Sequence, residues 1–312
     1  MGTIALCIPA YNAAWCLPRL LASAKNQFIP FNEILIYNDC STDETEATAK
    51  LHGATVINGL TNKGCSYGKN VLIEETSCDW IHFHDADDVL LPNFTTLAHK
   101  WIETTACPDI VLFDYNYIDN LNNELIAVRR FNKHQLIEDA IAYSLEEQIN
   151  PFCGLYKKSA IKSAGGYEMD AKLLYNEDSA FHMKMAIAGL SFSNEPEVAI
   201  INYAVSGSMS NVNKRKCVIA QYEVLLAAMS QLENIGKLAM YKPLLSYLLL
   251  KKAVLLTTYK AYNEADKAIE ISKRLDKKEK KILTNPLLNY IFNTYPKTMF
   301  RLRAFYNTHK NN

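Results

Sequence analysis

The chain has 312 residues, of which 49% are hydrophobic and 21% are charged, and its formal net charge at pH 7 is zero. Such a chain is long enough to bury one large core or two smaller ones, and its composition is ordinary for a globular protein. The balanced charge argues against a globally basic nucleic-acid-binding protein, so no nucleic-acid partner is expected. No apolar run approaches the roughly 20 residues that a membrane-spanning helix needs.

The cysteines and the N-terminal residues indicate in which cellular compartment the protein is expected. The eight cysteines are spaced irregularly, without a Cys-x-x-Cys pair, which argues against a zinc ribbon. The first residues lack the charged and apolar regions of a signal peptide. We therefore expect reduced thiols used for packing, and a cytoplasmic location.

The N-terminal part of the chain alternates between short apolar runs and helical spacing. The runs predict strands at 3–8, 33–37 and 54–57 and from Trp80 onward, each followed by a helix. This order is typical of a parallel sheet with helices on both faces. The loops at Asn12, Asp39 and Asp85 are then expected along one edge of the sheet, where ligands bind in such folds.

The most informative stretch is Trp80–Asp88, a bulky apolar strand that leads directly into acidic residues. The carboxylates of Asp85, Asp87 and Asp88 would repel one another unless a cation joins them. Hard divalent ions such as Mg²⁺ or Mn²⁺ prefer oxygen ligands, and Mg²⁺ is usually held by one or two carboxylates together with substrate phosphates. The stretch therefore predicts a metal–diphosphate site. The alternative is an acidic turn that caps a helix starting near Leu90.

The pattern changes after the fourth strand. Strands are predicted at 109–117, 124–131, 152–156 and 198–203, and helices at 90–103, 135–145, 176–188, 219–232, 241–262 and 265–275. Helical spacing alone remains from Lys214 onward. We place a domain boundary near residue 212, which separates an α/β domain at 1–212 from a helical region at 213–312.

Several motifs resemble, in their order along the chain, those of the family 2 glycosyltransferases of the GT-A fold over roughly residues 3–210. They are Ile8-Pro9-Ala10-Tyr11-Asn12, Asn38-Asp39-Cys40-Ser41-Thr42-Asp43, Asn62-Lys63-Gly64 through Gly68-Lys69-Asn70, His84-Asp85-Ala86-Asp87-Asp88, Gly165-Gly166-Tyr167 with Glu177-Asp178, and Ser208-Met209-Ser210. Each motif is weak by itself, but the full set in order is specific. The resemblance implies a Rossmann-like, mixed and mostly parallel sheet flanked by helices, with a helical C-terminal extension.

The resemblance also implies an inverting transfer of a sugar from a nucleotide-sugar donor, with a UDP-sugar favoured. The acceptor would be a glycan or a lipid-linked saccharide in the synthesis of a bacterial surface polysaccharide such as lipopolysaccharide, capsule or exopolysaccharide. Its motifs assign donor binding to Pro9, Tyr11, Asn12, Asp39, Asn62, Gly64, Lys69, Asp85 and Ala86. They assign a Mn²⁺ or Mg²⁺ ion to Asp85, Asp87 and Asp88. They assign the catalytic base to Asp178, with Glu177 as the second candidate.

Structural roles for the same residues remain open. Tyr11 could be an aromatic residue at the edge of the core, and Asp39 could cap a turn. Lys69 could be a solvated helix residue, and Glu177 and Asp178 could simply favour the N-terminus of the helix that follows them.

The chain departs from the family pattern at several positions. Asn38 stands where the family has an aspartate, Cys40 stands where it has a glycine, and Lys69 stands where it has an arginine, which removes the bidentate fork. The stretch 203–207 has no histidine before the last motif, which leaves the third protein ligand of the metal open. His82 is expected in a hydrogen-bonded core and His84 at the edge of the site.

The C-terminal segment is strongly basic. Residues 271–312 contain ten lysine or arginine residues against two acidic ones, so residues 1–270 carry the opposite net charge. Apolar residues follow at helical spacing, namely Leu288, Ile291, Phe292, Tyr295, Met299, Leu302 and Tyr306, with Lys297, Arg301 and Arg303 among them. This pattern fits either peripheral contact with the inner face of the cell membrane or a docked terminal helix with a solvated basic face. Co-sedimentation of the full chain and of a 1–275 truncation with anionic vesicles distinguishes the two.

Two other functions compete with the transferase interpretation. A metal-dependent nucleotidyltransferase also needs carboxylates, but it would want a glycine-rich and basic loop after the first strand, where Pro9-Ala10-Tyr11-Asn12 stands. A catalytically silent protein that binds a nucleotide or sugar would be expected to lose Asp87 or Asp178, and both are present.

Overall fold

The computed structural model describes residues 2–205, 213–278, 286, 289–290 and 294–302. The chain divides into two compact units, one of residues 1–169 with 181–206 and one of residues 170–180 with 207–312. The first unit holds most of the predicted α/β domain, and the second holds the C-terminal helices. Residues 170–180 belong with those helices, which the predicted boundary near residue 212 did not include.

Within the described residues, the first unit contains a nine-stranded mixed sheet in the order β3-β2-β1-β4-β8-β6-β9-β5, with β7 paired to β6. The strands are β1 (Ile4–Ala10), β2 (Glu33–Asn38), β3 (Thr55–Asn58), β4 (Trp80–Phe83), β5 (Val89–Leu90), β6 (Ile110–Asp119), β7 (Leu125–Arg129), β8 (Gly154–Lys157) and β9 (Phe192–Ala204). The pairs among β1–β4 are parallel, as is β6 with β9, and the remaining pairs are antiparallel.

The helices that accompany the sheet are α1 (Leu17–Lys25), α2 (Thr45–Leu51), α3 (Cys65–Glu75), α4 (Phe94–Ile102), α5 (Lys133–Glu138), α6 (Ala140–Glu146), α7 (Lys158–Ser163) and α8 (Glu177–Ile187). The apolar residues of α1 recur at helical spacing, and Leu17, Leu20, Leu21 and Ala24 are buried. All four residues of β4 are buried, as a strand covered on both faces requires. The core of the first unit therefore lies on both faces of the sheet.

Two predicted helices differ from the structure. The helix predicted from residue 90 begins only at Phe94, because Val89 and Leu90 pair with Ile201 and Ile200 as a short strand. The helix predicted at 135–145 is two helices, because Asp139 leaves the helical conformation at φ −149°, and its carboxylate accepts a hydrogen bond from the amide of Ala142. In both places a tertiary or capping contact outweighs the local pattern.

In its described part, the second unit contains three long helices, α9 (Lys214–Asn234), α10 (Leu238–Thr258) and α11 (Tyr262–Leu275). Ser246 of α10 donates a 2.6 Å hydrogen bond to the carbonyl of Ser272 in α11. None of the helices in the described residues is both long enough and apolar enough to cross a membrane.

The described part of the basic C-terminal segment is bound to α11. Lys297 pairs with Glu270 at 2.7 Å and Arg301 pairs with Asp266 at 2.8 Å, while Phe300 is buried. These contacts favour the docked helix over the membrane-contacting segment. The remaining residues of the predicted amphipathic pattern, Leu288, Ile291, Phe292, Arg303 and Tyr306, lie outside the described residues. Membrane contact stays a prediction.

Candidate active site

The loops that follow β1 and β2 are bonded to each other at one edge of the sheet. Because β2, β1 and β4 are parallel neighbours, their carboxyl ends lie together. The amide of Asn12 donates to Ser41 Oγ at 2.9 Å, and Asn12 Oδ1 accepts from the amide of Thr42 at 2.8 Å. The amide of Ala13 donates to Thr45 Oγ1 at 2.8 Å. The first two motifs thus form one rigid platform, with the ring of Tyr11 53% exposed beside it.

Two residues of this platform have left-handed backbone conformations. Asn12 has φ +50° and Cys40 has φ +60°. Asparagine tolerates this region, whereas a cysteine there costs about 1–2 kcal/mol relative to glycine. The conformation explains why a glycine would suit the position of Cys40.

Asp39 joins the platform to the turn that follows β3. It is 5% exposed, and its two oxygens accept from the amides of Lys63 and Gly64, both at 2.8 Å. Asp39 therefore has the turn-capping role that the sequence left open. Each carboxylate oxygen has a second lone pair, so the capping role is compatible with binding a nucleoside. The side chain of Asn62, in the same turn, is exposed, and Pro9 at the end of β1 is half-buried.

Lys69 is not a solvated helix residue. It is 1% exposed on α3, and its ammonium lies 4.9 Å from the centre of the Tyr167 ring. A buried lysine over an aromatic face is held by a cation–π interaction. The structure thus brings the third motif against the glycine-rich motif at 165–167.

The next residue, Asn70, clamps the glycine-rich turn, a role that the sequence analysis did not assign. Its side-chain oxygen accepts from the amide of Tyr167 at 2.8 Å, and its side-chain nitrogen donates to the carbonyl of Tyr167 at 2.9 Å. The sequence signal was the motif Gly68-Lys69-Asn70 itself. Two motifs 97 residues apart are therefore joined by one amide side chain.

We expect the Gly166→Ala substitution to destabilise the first unit by about 2–4 kcal/mol. Gly166 has φ +56°, and a Cβ there would lie 2.5 Å from the oxygen of Asn70. The variant would therefore be destabilised by a non-glycine residue in the left-handed conformation and also by disturbed Asn70 hydrogen bonds. Urea unfolding measures the loss. Gly189→Ala is the matched control, because Gly189 has φ +83° with nothing within 4 Å of its Cβ, so only about 1 kcal/mol is expected. Equal losses would contradict the clamp.

The acidic stretch after β4 divides into two kinds of carboxylate. Asp85 and Asp87 are half-buried, as is Ala86 between them, whereas Asp88 is fully buried. Asp88 accepts hydrogen bonds from Asn202 Nδ2 at 2.7 Å and from the amide of Tyr203 at 2.8 Å. Burial raises the pKa of Asp88, and the charges of Asp85 and Asp87 raise it further. Asp88 thus fastens the motif to β9, and its predicted role as a metal ligand stays a prediction.

Asp85 and Asp87 fit a divalent cation that a diphosphate would help to hold. Burial raises the pKa of Asp87, against the opposing effects of its own amide and of Arg19. A half-buried carboxylate of this kind gains from a cation, and two carboxylates with substrate phosphates are a usual Mg²⁺ environment. Among the described residues, no three histidine, cysteine, aspartate or glutamate side chains gather into a metal centre. Asp85, Asp87 and Asp88 as ligands of a Mn²⁺ or Mg²⁺ ion therefore stay a prediction.

Arg19 contacts this stretch from α1, although no motif contains it. Its guanidinium donates to the carbonyl of Asp87 and, at 2.8 Å, to Asn120 Oδ1. The same group lies 3.9 Å from the centre of the Tyr203 ring. The sequence signal was a charged residue among the apolar residues of the first turn of α1.

The two histidines before the acidic stretch form a buried chain. His82 Nδ1 lies 2.8 Å from the carbonyl of Gly154, and His82 Nε2 lies 3.0 Å from His84 Nδ1. Because a carbonyl only accepts, Nδ1 of His82 carries the proton and its Nε2 accepts from His84. Burial lowers the pKa of His82 to about 3 and lowers that of His84 as well. Both rings are therefore neutral core residues, as expected for His82.

Glu177 and Asp178 are the first two residues of α8 and belong to the second unit. Glu177 is 8% exposed and Asp178 is half-buried. Acidic side chains in the first turn favour the helix N-terminus, so the structural role that the sequence left open is present. Their catalytic role stays a prediction. The motif Ser208-Met209-Ser210 lies outside the described residues.

Comparison with known sequences gives consistent results. A profile of the family described as Glycosyl transferase family 2 matches residues 5–164, just over half of the chain. An uncharacterized glycosyltransferase of Rickettsia prowazekii is 26% identical over 198 residues, which are 62% of this chain and 61% of the relative. The chondroitin synthase of Pasteurella multocida is 34% identical over 111 residues, which are 33% of this chain and 12% of the relative. The chain thus spans less than two thirds of the length of these curated relatives.

Solved structures share the fold. TarS of S. aureus in complex with UDP-GlcNAc aligns with a TM-score of 0.71 at 17% identity, over 99% of this chain and 92% of that chain. The mannosyltransferase PcManGT of Pyrobaculum calidifontis, in complex with GDP-Man and Mn²⁺, aligns with a TM-score of 0.59 at 14% identity, over 98% and 84%. The predicted GT-A fold, a mixed sheet flanked by helices with a helical C-terminal region, is confirmed.

Proposed function

Because the chain belongs to glycosyl transferase family 2, we propose that it transfers a sugar from a nucleotide-sugar donor to a saccharide acceptor with inversion at the anomeric carbon. The observation that carries the proposal is the edge of the sheet at which the loops after β1, β2 and β4 lie together. This edge combines an exposed aromatic ring for a base, a buried aspartate and two half-buried carboxylates that a bound cation would link to a diphosphate.

We propose a UDP-sugar as the donor. Tyr11 offers an exposed ring face for the base, and Asp39 has lone pairs for a base N–H or a ribose hydroxyl. The similarity to TarS, which was solved with UDP-GlcNAc, supports this choice. PcManGT was solved with GDP-Man, so other nucleotides serve as the competing donors in the test below.

Different residues of the chain would bind the metal, accept the proton and hold the donor site in place. Asp85 and Asp87 would hold Mn²⁺ or Mg²⁺, which when bound supplies positive charge to the leaving diphosphate. Asp178 would accept the proton of the acceptor hydroxyl, with Glu177 as the second candidate. Asp39 and Asn12 hold the loops of the donor site in place through their hydrogen bonds.

We propose that the acceptor is a glycan or a lipid-linked saccharide of a bacterial surface polysaccharide. The similarity to the Pasteurella chondroitin and hyaluronan synthases supports a polysaccharide acceptor. Both matches span only a third of this chain, so they do not specify the sugar or the linkage.

The direct test is thermal stability with UDP-, GDP-, CDP- and dTDP-sugars, each with and without Mn²⁺. A ligand at about 100 times its dissociation constant adds about 2.7 kcal/mol of stability. We expect a Mn²⁺-dependent increase with UDP-sugars and little with the others. A metal-dependent increase with another nucleotide would replace UDP in the proposal. No increase with any donor would contradict nucleotide-sugar binding and with it the proposed transfer.

A further inference from the structure

Arg19 closes a ring of contacts around the peptide between Asp87 and Asp88. Its guanidinium donates to the carbonyl of Asp87 and lies 3.9 Å from the centre of the Tyr203 ring. The amide of Tyr203 in turn donates to the carboxylate of Asp88 at 2.8 Å. The ring therefore passes from Arg19 through Asp87, Asp88 and Tyr203 back to Arg19. The guanidinium also donates a 2.8 Å hydrogen bond to Asn120 Oδ1.

Each contact in this ring restrains a different part of the acidic stretch. The hydrogen bond from Arg19 fixes the direction of the Asp87 carbonyl, and those from Asn202 and Tyr203 fix the carboxylate of Asp88. With its carbonyl and the next side chain both held, the backbone of Asp87 has little freedom. A fixed backbone leaves the Asp87 side chain only the few directions that its staggered rotamers allow.

We infer that Arg19 is a positioning residue, which holds Asp87 in the orientation that a cation–diphosphate complex needs. The inference rests on the proposed function, since it requires Asp87 to be a metal ligand. Partners that orient metal ligands contribute substantially, and their loss typically weakens metal affinity by about 10–100-fold. Arginine suits this role because its rigid fork binds two oxygens while its face covers an aromatic ring.

A purely electrostatic role for Arg19 predicts the opposite change in metal affinity. The Arg19 guanidinium bonds the carbonyl of Asp87, and a cation held this close opposes the binding of a second cation. Removing the charge alone would therefore tighten metal binding. Positioning predicts that the same removal weakens it. The sign of the change thus separates the two roles.

The test measures the affinity of UDP by calorimetry, with and without one fixed concentration of Mn²⁺. The ratio of the two affinities is the metal-dependent gain. We expect Arg19→Gln to lower this gain by about 10-fold or more while the affinity without metal stays unchanged. Arg19→Lys is expected to lower it as well, because it keeps the charge but cannot reach all three partners. Tyr203→Leu removes the aromatic ring beside Arg19 but keeps the amide that donates to Asp88. It is expected to lower the metal-dependent gain by a smaller factor, and it provides the test if the Arg19 variants fold poorly.

The matched control is Arg129→Gln. Arg129 is also half-buried, pairs with Glu147 at 2.8 Å and lies 5.2 Å from the Phe131 ring. Its loss removes a hydrogen-bonded arginine and its contact with an aromatic ring outside the acidic stretch, so the metal-dependent gain should equal that of the wild type. An unchanged or larger gain in Arg19→Gln overturns the inference and leaves the proposed function standing. No metal-dependent gain in the wild type overturns both.

Discussion

Replacing Asp178 by asparagine is expected to lower the turnover number by about 10²–10⁴-fold, which is the usual contribution of a general base. Asparagine has nearly the same shape as aspartate but cannot take the proton of an acceptor hydroxyl. Asp178 is half-buried in the first turn of α8, where an uncharged side chain is tolerated. Donor affinity should therefore stay within about two-fold of the wild type, as expected for a group that acts only in the transition state.

Sugar transfer to an acceptor, together with the thermal shift given by donor alone, measures both quantities. Glu177→Gln tests the second candidate, and Asp170→Asn is the control, because Asp170 is an exposed acid of the same unit that bonds the amide of Lys172. Full activity in Asp178→Asn with loss in Glu177→Gln would move the base to Glu177. Full activity in both would show that neither residue is the base.

Replacing Asp87 by asparagine is expected to remove about half or more of the Mn²⁺-dependent stabilisation by nucleotide. With nucleotide at about 100 times its dissociation constant, the wild-type protein should gain about 2.7 kcal/mol of stability. A 10-fold loss of affinity removes about half of that gain. The protein without ligand should be as stable as the wild type or more stable. The reason is that burial raises the pKa of Asp87, so its charge is costly until a cation binds.

Asp88→Asn is the contrasting variant. Asp88 is buried and accepts from Asn202 and from the amide of Tyr203, so an amide nitrogen there would face a donor. We expect a loss of about 1–3 kcal/mol of stability in the protein without ligand. Thermal unfolding with and without UDP and Mn²⁺ measures both variants. An Asp87→Asn protein that keeps the full metal-dependent shift would exclude Asp87 as a ligand.

The sequence by itself determined the fold class, the family and the positions of the motifs. Each of the first four strands is a short apolar run, and the alternation of these runs with helices permits few arrangements other than parallel pairing. The carboxyl ends of β1, β2 and β4 then have to lie together, which places Asn12, Asp39 and Asp85 at one edge of the sheet. These features are local in the chain or follow from its order.

Only the tertiary structure decided what the individual side chains do. Arg19 bonds the carbonyl of a residue 68 positions away, Asn70 bonds a residue 97 positions away, and Asp88 bonds one 115 positions away. A local pattern contains no information about such partners. The burial of a side chain likewise depends on which distant residues cover it. The sequence was therefore compatible with either a solvated or a functional Lys69, and the tertiary structure shows that Lys69 is buried. The motifs after β1, β2 and β4 lie together at one edge of the sheet, and long-range packing divides their residues into exposed or half-buried side chains, such as Tyr11 and Asp87, and buried ones that hold the loops in place, such as Asp39 and Asp88.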